Sequence, residues 1–205
     1  MSLFPMFLKL AGRRCLVVGA GCVGEGKIRT LLPTGARLRV VAPHATPAVM
    51  SWAESGRLAW EARSFIPADL EEVFLVIAAT PAVEVNDAVF REAQRRGVLC
   101  NVVDDPARCD FYYPALVRRG SLQIAISTEG QSPALAQRLR RELENQFGPD
   151  YGPWVEHLGE ERKQLLGQEM EQEDRRRLLH EQAGRAAFER FVRGPGLEAR
   201  KEGLL

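Results

Sequence analysis

Two short stretches carry residue types from which chemistry can be built. Residues 19–24 read Gly19-Ala20-Gly21-Cys22-Val23-Gly24, and residues 101–114 read NVVDDPARCDFYYP, with Asp104 and Asp105 adjacent. The glycines follow the apolar run Cys15-Leu16-Val17-Val18 and precede a helical stretch to about Leu32, the context a dinucleotide fingerprint requires. Gly19 permits a tight turn, Gly21 lets a pyrophosphate approach the backbone, and Gly24 allows close helix packing. Cys22 and Val23 lie where the helix start offers unpaired N–H groups to phosphates. The acid usually found at the end of the second strand to hold a ribose is missing, because Val41-Ala42-Pro43-His44 stands there. Backbone groups around Pro43 and the His44 ring are the candidates for holding the ribose, the competing reading being that His44 is a polar strand-end residue with no ligand, and this loop does not separate NAD from NADP. Thr80 ends the fourth strand on the same carboxyl edge of the sheet, where ligands of such folds bind.

The two aspartates follow Val98-Leu99-Cys100-Asn101-Val102-Val103, a short buried strand bounded by Gly97 and Pro106. If the chain is still extended at 104, alternation turns neighbouring side chains to opposite faces, so one acid looks into a site and the other away. The competing reading is plain turn chemistry, since Asp-Asp-Pro is common in loops and Pro106 biases Asp105 towards an extended backbone. Free carboxylates are ionised at neutral pH, so Asp104 is a candidate proton acceptor, and a fixed carboxylate stabilises positive character left on a hydride donor.

The positioning elements are legible in the first hundred residues. Strands are expected at 15–18, 38–42, 58–60, 74–79 and 98–103, with helices between them, at 83–96 in particular. Apolar strands without polar alternation imply a parallel sheet covered on both faces, a Rossmann-like doubly wound α/β domain. After Phe111 the rhythm changes to a hairpin, 114–118 and 122–126 around Arg119-Gly120-Ser121. Ser132-Pro133 then starts a helix bearing Leu135, Leu139, Leu143 and Phe147 at four-residue steps. That stripe packs either on its own sheet or on a second subunit. Gly148 to Pro153 reads as a linker, and Trp154 to roughly Phe191 as helix, with Asp174-Arg175-Arg176-Arg177 on a solvated face. The expected organisation is a dinucleotide-binding domain over 1–113, a small α+β segment of hairpin plus helix over 114–148, and a helical C-terminal region over 149–205.

Composition excludes several classes. Across 205 residues the formal charge is +1, with 45% hydrophobic and 27% charged residues, so nothing argues globally for nucleic acid or membrane binding. No run approaches the roughly 18 apolar residues of a membrane helix, and MSLFPMFLKL lacks a charged leader and a cleavage site. Cys15, Cys22, Cys100 and Cys109 form no CxxC pair, which fits reduced thiols in the cytoplasm. His44, His157 and His180 are dispersed, so no metal site is expected. No Gly-x-Ser-x-Gly elbow is present.

Four segments in order, FPMFLKLAGRRCLVVGAGCVGEGKIRTLL, LVIAATP, NVVDDPARCDFYYPALVRRG and LQIAISTEGQSPALAQRLRRELE, resemble the precorrin-2 dehydrogenase family over roughly residues 3–147. The resemblance implies hydride transfer from precorrin-2 to NAD with loss of a proton, yielding sirohydrochlorin in siroheme synthesis. It implies Asp104 as base or proton-positioning group, Asn101 as a site-shaping residue, and a homodimer formed through 114–148. A polycarboxylate tetrapyrrole calls for cations at the entrance, and Arg118, Arg119, Arg138, Arg140 and Arg141 are candidates, either free or paired with Glu142 and Glu144. Some relatives also insert metal into the product, with the same aspartate implicated. Two departures from the family stand out: Gly26 precedes Lys27 where an arginine is usual, and Glu129 replaces a small residue. The alternative from another class is a dinucleotide-sensing binding protein, which needs no base at position 104.

Overall fold

The computed structural model describes residues 3–194. It divides into two compact units, residues 4–113 and residues 114–194 together with Leu3.

In the first unit, strands β1 (Arg14–Ala20), β2 (Arg37–Ala45), β3 (Ala59–Glu61), β4 (Leu75–Ala78) and β5 (Leu99–Val102) alternate with helices α1 (Cys22–Leu31), α2 (Pro47–Glu54) and α3 (Val83–Arg96). All the pairings are parallel, in the order β3-β2-β1-β4-β5. The period of two in the strands explains why an apolar run is needed. Cys15 and Val17 pack with Ile28, Leu31, Val40, Val49 and Ile77 on the side of α1 and α2. Leu16 and Val18 pack with Leu70, Val76, Val89, Ala93 and Cys100 on the side of α3. Both faces of β1 and β4 are therefore dry, and each fully buried Leu, Ile or Val contributes about 1.5–3 kcal/mol. A 3-10 turn over Pro67–Leu70 takes the place of a helix between β3 and β4.

The strand order reverses between β1 and β4. There the βα connections on either side diverge to opposite faces and leave a crevice at the carboxyl ends of the strands. Strand β2 runs to Ala45 rather than stopping at 42, because Ala45 pairs with Ala20 after a register shift in β1. Pro43 and His44 are thus exposed strand residues rather than loop.

In the second unit, β6 (Ala115–Arg119) and β7 (Leu122–Ile126) form an antiparallel hairpin, and α4 (Pro133–Gln146) follows with the Ser132 hydroxyl accepting from the Leu135 N–H. The region expected as one long helix is three: α5 (Tyr151–Leu166), α6 (Gln172–Gln182) and α7 (Arg185–Arg193). Gly167 and Gly184 stand at the breaks. The expected linker at 148–153 overlaps the first turn of α5, which starts at Tyr151. Nor is Arg175 merely a solvated charge: its guanidinium donates to the carbonyls of Leu165, Gln168 and Met170, satisfying the end of α5. Tyr151, Trp154, Phe188 and Phe191 supply an aromatic centre between α5 and α7.

Candidate active site

The turn after β1 is shaped by what side chains would collide with. A β-carbon on Gly19, which sits at φ +101°, would lie 2.4 Å from the Ala79 carbonyl oxygen at the end of β4. One on Gly24 would lie 2.2 Å from the Gly19 carbonyl oxygen. Around Gly21, by contrast, nothing lies within 4 Å of the added carbon, so a ligand can approach the backbone there. Helix α1 begins immediately afterwards, with no side chain capping it and its first turn closed by Glu25 N–H to the Gly21 carbonyl at 2.8 Å. The amides of Cys22, Val23 and Gly24 precede that bond and have no partner within the helix. Close packing behind, open space in front and a bare helix N-terminus fit the pyrophosphate of a dinucleotide. Cys22 and Val23 are exposed at this mouth.

The other expected dinucleotide contacts are distributed along the same edge. Pro43 and His44 occupy the exposed end of β2. Thr80 is partly occupied with local structure, since its hydroxyl accepts from the Ala82 N–H and bonds the Asn86 side chain, while Asn86 Nδ2 donates to the Thr80 carbonyl. These bonds fix the loop that enters α3.

Asp104 stands two residues beyond β5 on this edge and is exposed. Its backbone is not extended: φ is +63°, the left-handed region, where an aspartate is tolerated better than most side chains. A turn, not the pleat, therefore separates the two acids, and Asp105 N–H closes that turn on the Val102 carbonyl at 3.2 Å. Asp105 faces Arg108, 3.4 Å away, and Arg108 also pairs with Asp87 at 2.9 Å. Asp105 is thus engaged in its own loop, whereas Asp104 has no hydrogen bond or ion pair among the described residues.

The segment after it is folded back on β5. Cys100 N–H donates to Asp110 Oδ2 and Asp110 N–H to the Cys100 carbonyl, while the Cys109 thiol lies 3.2 Å from the carbonyls of Val102 and Asp105. Asn101 belongs to this clamp. It is 6% exposed, and its amide donates to the Phe111 carbonyl at 2.8 Å and towards Cys109 Sγ at 3.2 Å. Its amide thus holds the loop that follows Asp104.

Lys27 is a residue that motif reading passed over except as a departure. It lies one turn into α1, half-buried, with Nζ 3.9 Å above the centre of the Tyr113 ring. Burial holds its ammonium below the ordinary lysine range, against the opposing pull of Asp104 and Cys109. Desolvation raises the Tyr113 phenol to about 12, although a hydrogen bond with Thr30 works the other way. So Lys27 and Asp104, 77 positions apart in the chain, feel one another's charge at the same edge.

The arginines expected at an entrance fare differently from one another. Arg119 donates to the carbonyls of Phe147 at 2.8 Å and Glu144 at 3.1 Å, closing the end of α4, so it is a structural cap and not a free cation. Arg138 and Glu142 form an exposed i,i+4 pair at 3.3 Å, and Arg140 pairs with Glu144 at 2.5 Å. Arg118 lies on the exposed side of β6. Among the described residues no group of three or more His, Cys, Asp and Glu is placed to hold a metal ion, and no helix is long and apolar enough to cross a membrane. The four cysteines are free.

Comparison with known proteins gives the same division of the chain. Residues 6–115 match the family described as putative NAD(P)-binding, and residues 119–146 match the sirohaem biosynthesis protein central region. Siroheme synthase 1 of Aeromonas hydrophila is 46% identical over 144 residues, 70% of this chain and 31% of that protein. The siroheme synthase of Mannheimia succiniciproducens is 34% identical over 204 residues, 100% of this chain and 43% of that protein. The chain thus spans less than half the length of these relatives. Among solved structures, that of SirC, a precorrin-2 dehydrogenase, superposes with a TM-score of 0.79 at 27% identity, covering 93% of this chain and 98% of that one. With its nicotinamide-dinucleotide crevice, its hairpin and its helices so matched, the chain belongs to the putative NAD(P)-binding family of siroheme synthases and precorrin-2 dehydrogenase.

Proposed function

We propose that the chain oxidises precorrin-2 to sirohydrochlorin in siroheme biosynthesis, with NAD as the oxidant and Asp104 as base or proton-positioning group. The observation that carries the reading is the presence, on one sheet edge, of a dinucleotide-shaped glycine turn and an exposed carboxylate with no hydrogen bond or ion pair among the described residues. The likeness to SirC over almost the whole of both chains supports the same substrate. When bound, the nicotinamide supplies the hydride acceptor. Gly19 and Gly24 keep the turn tight, Gly21 leaves the approach open, and the amides of Cys22 and Val23 hold the pyrophosphate; Pro43, His44 and Thr80 border the rest of the cofactor. As a hydride leaves the substrate, Asp104 accepts or steers the departing proton and stabilises the positive character on the macrocycle. NAD is the dinucleotide proposed although the stretch after β2 carries neither the acid that would select it nor an arginine that would receive a 2′-phosphate. In addition, the Glu25 carboxylate, held below its ordinary range by hydrogen bonds from Thr46 and Arg29, lies beside the β2–α2 junction.

The reaction belongs in the cytoplasm, and the working form is a homodimer. Two features support a covered surface: Leu135 of the α4 stripe remains 39% exposed, and Phe4, Met6 and Phe7 are 79%, 61% and 69% exposed. Sedimentation at micromolar concentration should give twice the chain mass; a stable monomer removes the dimer. The central test is Asp104→Asn with precorrin-2 and NAD supplied anaerobically. Dinucleotide affinity should be retained while turnover falls by about 100-fold or more. Wild-type turnover in that variant would remove the aspartate from the mechanism.

A further inference from the structure

An acidic tetrapyrrole meets an electrostatic obstacle at this edge. Asp104 is exposed and has no hydrogen bond or ion pair among the described residues, so every carboxylate of an approaching substrate is repelled by the group that must act on it. A cation beside Asp104 would remove the obstacle.

Lys27 has the required properties. Its ammonium is half-buried and seated on the face of Tyr113, which fixes its position and compensates part of its lost hydration. No carboxylate of the described residues lies within 4 Å of Nζ, the reach of an ion pair. A cation that is partly desolvated, held in place by a ring and short of a direct counter-ion is incompletely satisfied. Elsewhere in the same unit, Arg29, Arg39, Arg63, Arg95 and Arg96 all reach carboxylates. The depressed affinity of Lys27 for its proton, caused first by burial, has the same meaning, because an anion delivered to Nζ would reverse it.

We infer that Lys27 is the substrate-anchoring cation of this site: seated on Tyr113 beside Asp104, its ammonium takes a peripheral carboxylate of the tetrapyrrole and so presents the macrocycle to the aspartate. The inference rests on the dehydrogenase reading for the identity of the ligand. The interaction is a charge-assisted N–H to carboxylate bond, and losing it should weaken binding by about tenfold or more. A phosphate of the dinucleotide is the other anion that could reach a lysine on α1, and the two sources are separable.

The test compares wild type, Lys27→Gln and Lys27→Arg, each first checked for an unchanged thermal transition. Three quantities are read: the Kd for sirohydrochlorin by absorbance titration without cofactor, the Kd for NAD by fluorescence, and KM and kcat for precorrin-2 oxidation. The expected result is a sirohydrochlorin Kd and a precorrin-2 KM raised at least about tenfold in Lys27→Gln, partly restored in Lys27→Arg, with NAD affinity unaltered. An unchanged Kd and KM in Lys27→Gln overturns the inference, and a loss of NAD affinity alone assigns the lysine to the phosphates instead. If wild type fails to oxidise precorrin-2 yet binds sirohydrochlorin in a Lys27-dependent way, the dehydrogenase reading falls and the anchoring role stands. Should Lys27→Gln lower the thermal transition, Lys27→Met, which keeps an apolar stem on the ring and removes only the charge, takes its place, and a sirohydrochlorin Kd unchanged from wild type there overturns the inference.

Discussion

Asp69 and Asp104 lie in the same unit, and their surroundings differ in almost every respect. Asp69 is 2% exposed, receives Arg63 at both carboxylate oxygens (2.6 and 2.9 Å), Arg39 at 3.1 Å and the Ile66 N–H at 2.9 Å, and Glu61 joins the same arginines. Asp104 is exposed, has no bonded partner among the described residues, and is held in a left-handed turn with Lys27 near enough to be felt. One carboxylate is consumed in joining β2, β3 and the turn before β4. The other is left available to solvent or to a ligand.

Exchanging charge for amide at each position separates the two roles. Asp69→Asn should lower the unfolding free energy by about 2–3 kcal/mol in urea, because two arginines lose their buried acceptor, while dinucleotide affinity is unchanged. Asp104→Asn should alter stability by less than about 0.5 kcal/mol, since asparagine tolerates the left-handed backbone at least as well. Equal losses in the two variants would abolish the distinction. The pH dependence has a definite sign. Burial alone would raise Asp69, but the Arg63 hydrogen bond, the Ile66 N–H and the charges of Arg63 and Arg39 outweigh it, so the folded carboxyl lies below its ordinary value. Its stabilisation is therefore complete above the unfolded-state value near ~3.9 and is lost as pH falls through the lower folded value. Wild type and Asp69→Asn should differ in midpoint at pH 7 and converge well below about pH 4.

The contrast also marks what a sequence can convey. Strands buried on both faces are written as uninterrupted apolar runs, and Gly19, Gly21 and Gly24 declare a backbone that side chains would obstruct; hence the parallel sheet and the dinucleotide turn were legible. Asp104 was legible as a residue type at a strand end, and of the two readings open for it the turn is the one its φ of +63° realises, because Val103 N–H makes the last bond to β4 and the pleat stops there. Asn101 and Arg119 looked like ligand groups, and tertiary structure spent them on the carbonyls of Phe111 and Phe147. Lys27 could not be found from spacing, since its partners Tyr113 and Asp104 arrive through the crossover that brings β5 alongside β4. The helices after residue 150 misled for the opposite reason: charge-rich helical composition hides its breaks when only Gly167 and Gly184 mark them.

A finer comparison lies within the Asp69 cluster itself. Arg63 engages both oxygens of Asp69 and also reaches Glu61, a planar fork that an ammonium cannot reproduce, whereas Arg39 meets only one oxygen of Asp69 and one of Glu61, together with the Asp69 carbonyl. Arg63→Lys keeps the charge and loses the second bond, so it should cost about 1 kcal/mol, less than half the loss in Asp69→Asn. The double variant should then show strong non-additivity, because a lysine opposite an amide has nothing further to lose. Chemical denaturation of the four proteins completes the cycle. Additive effects would mean that Asp69 is held by Arg39 and Ile66 alone, and the cluster would then resemble the loosely paired edge around Asp104 more than its short distances imply.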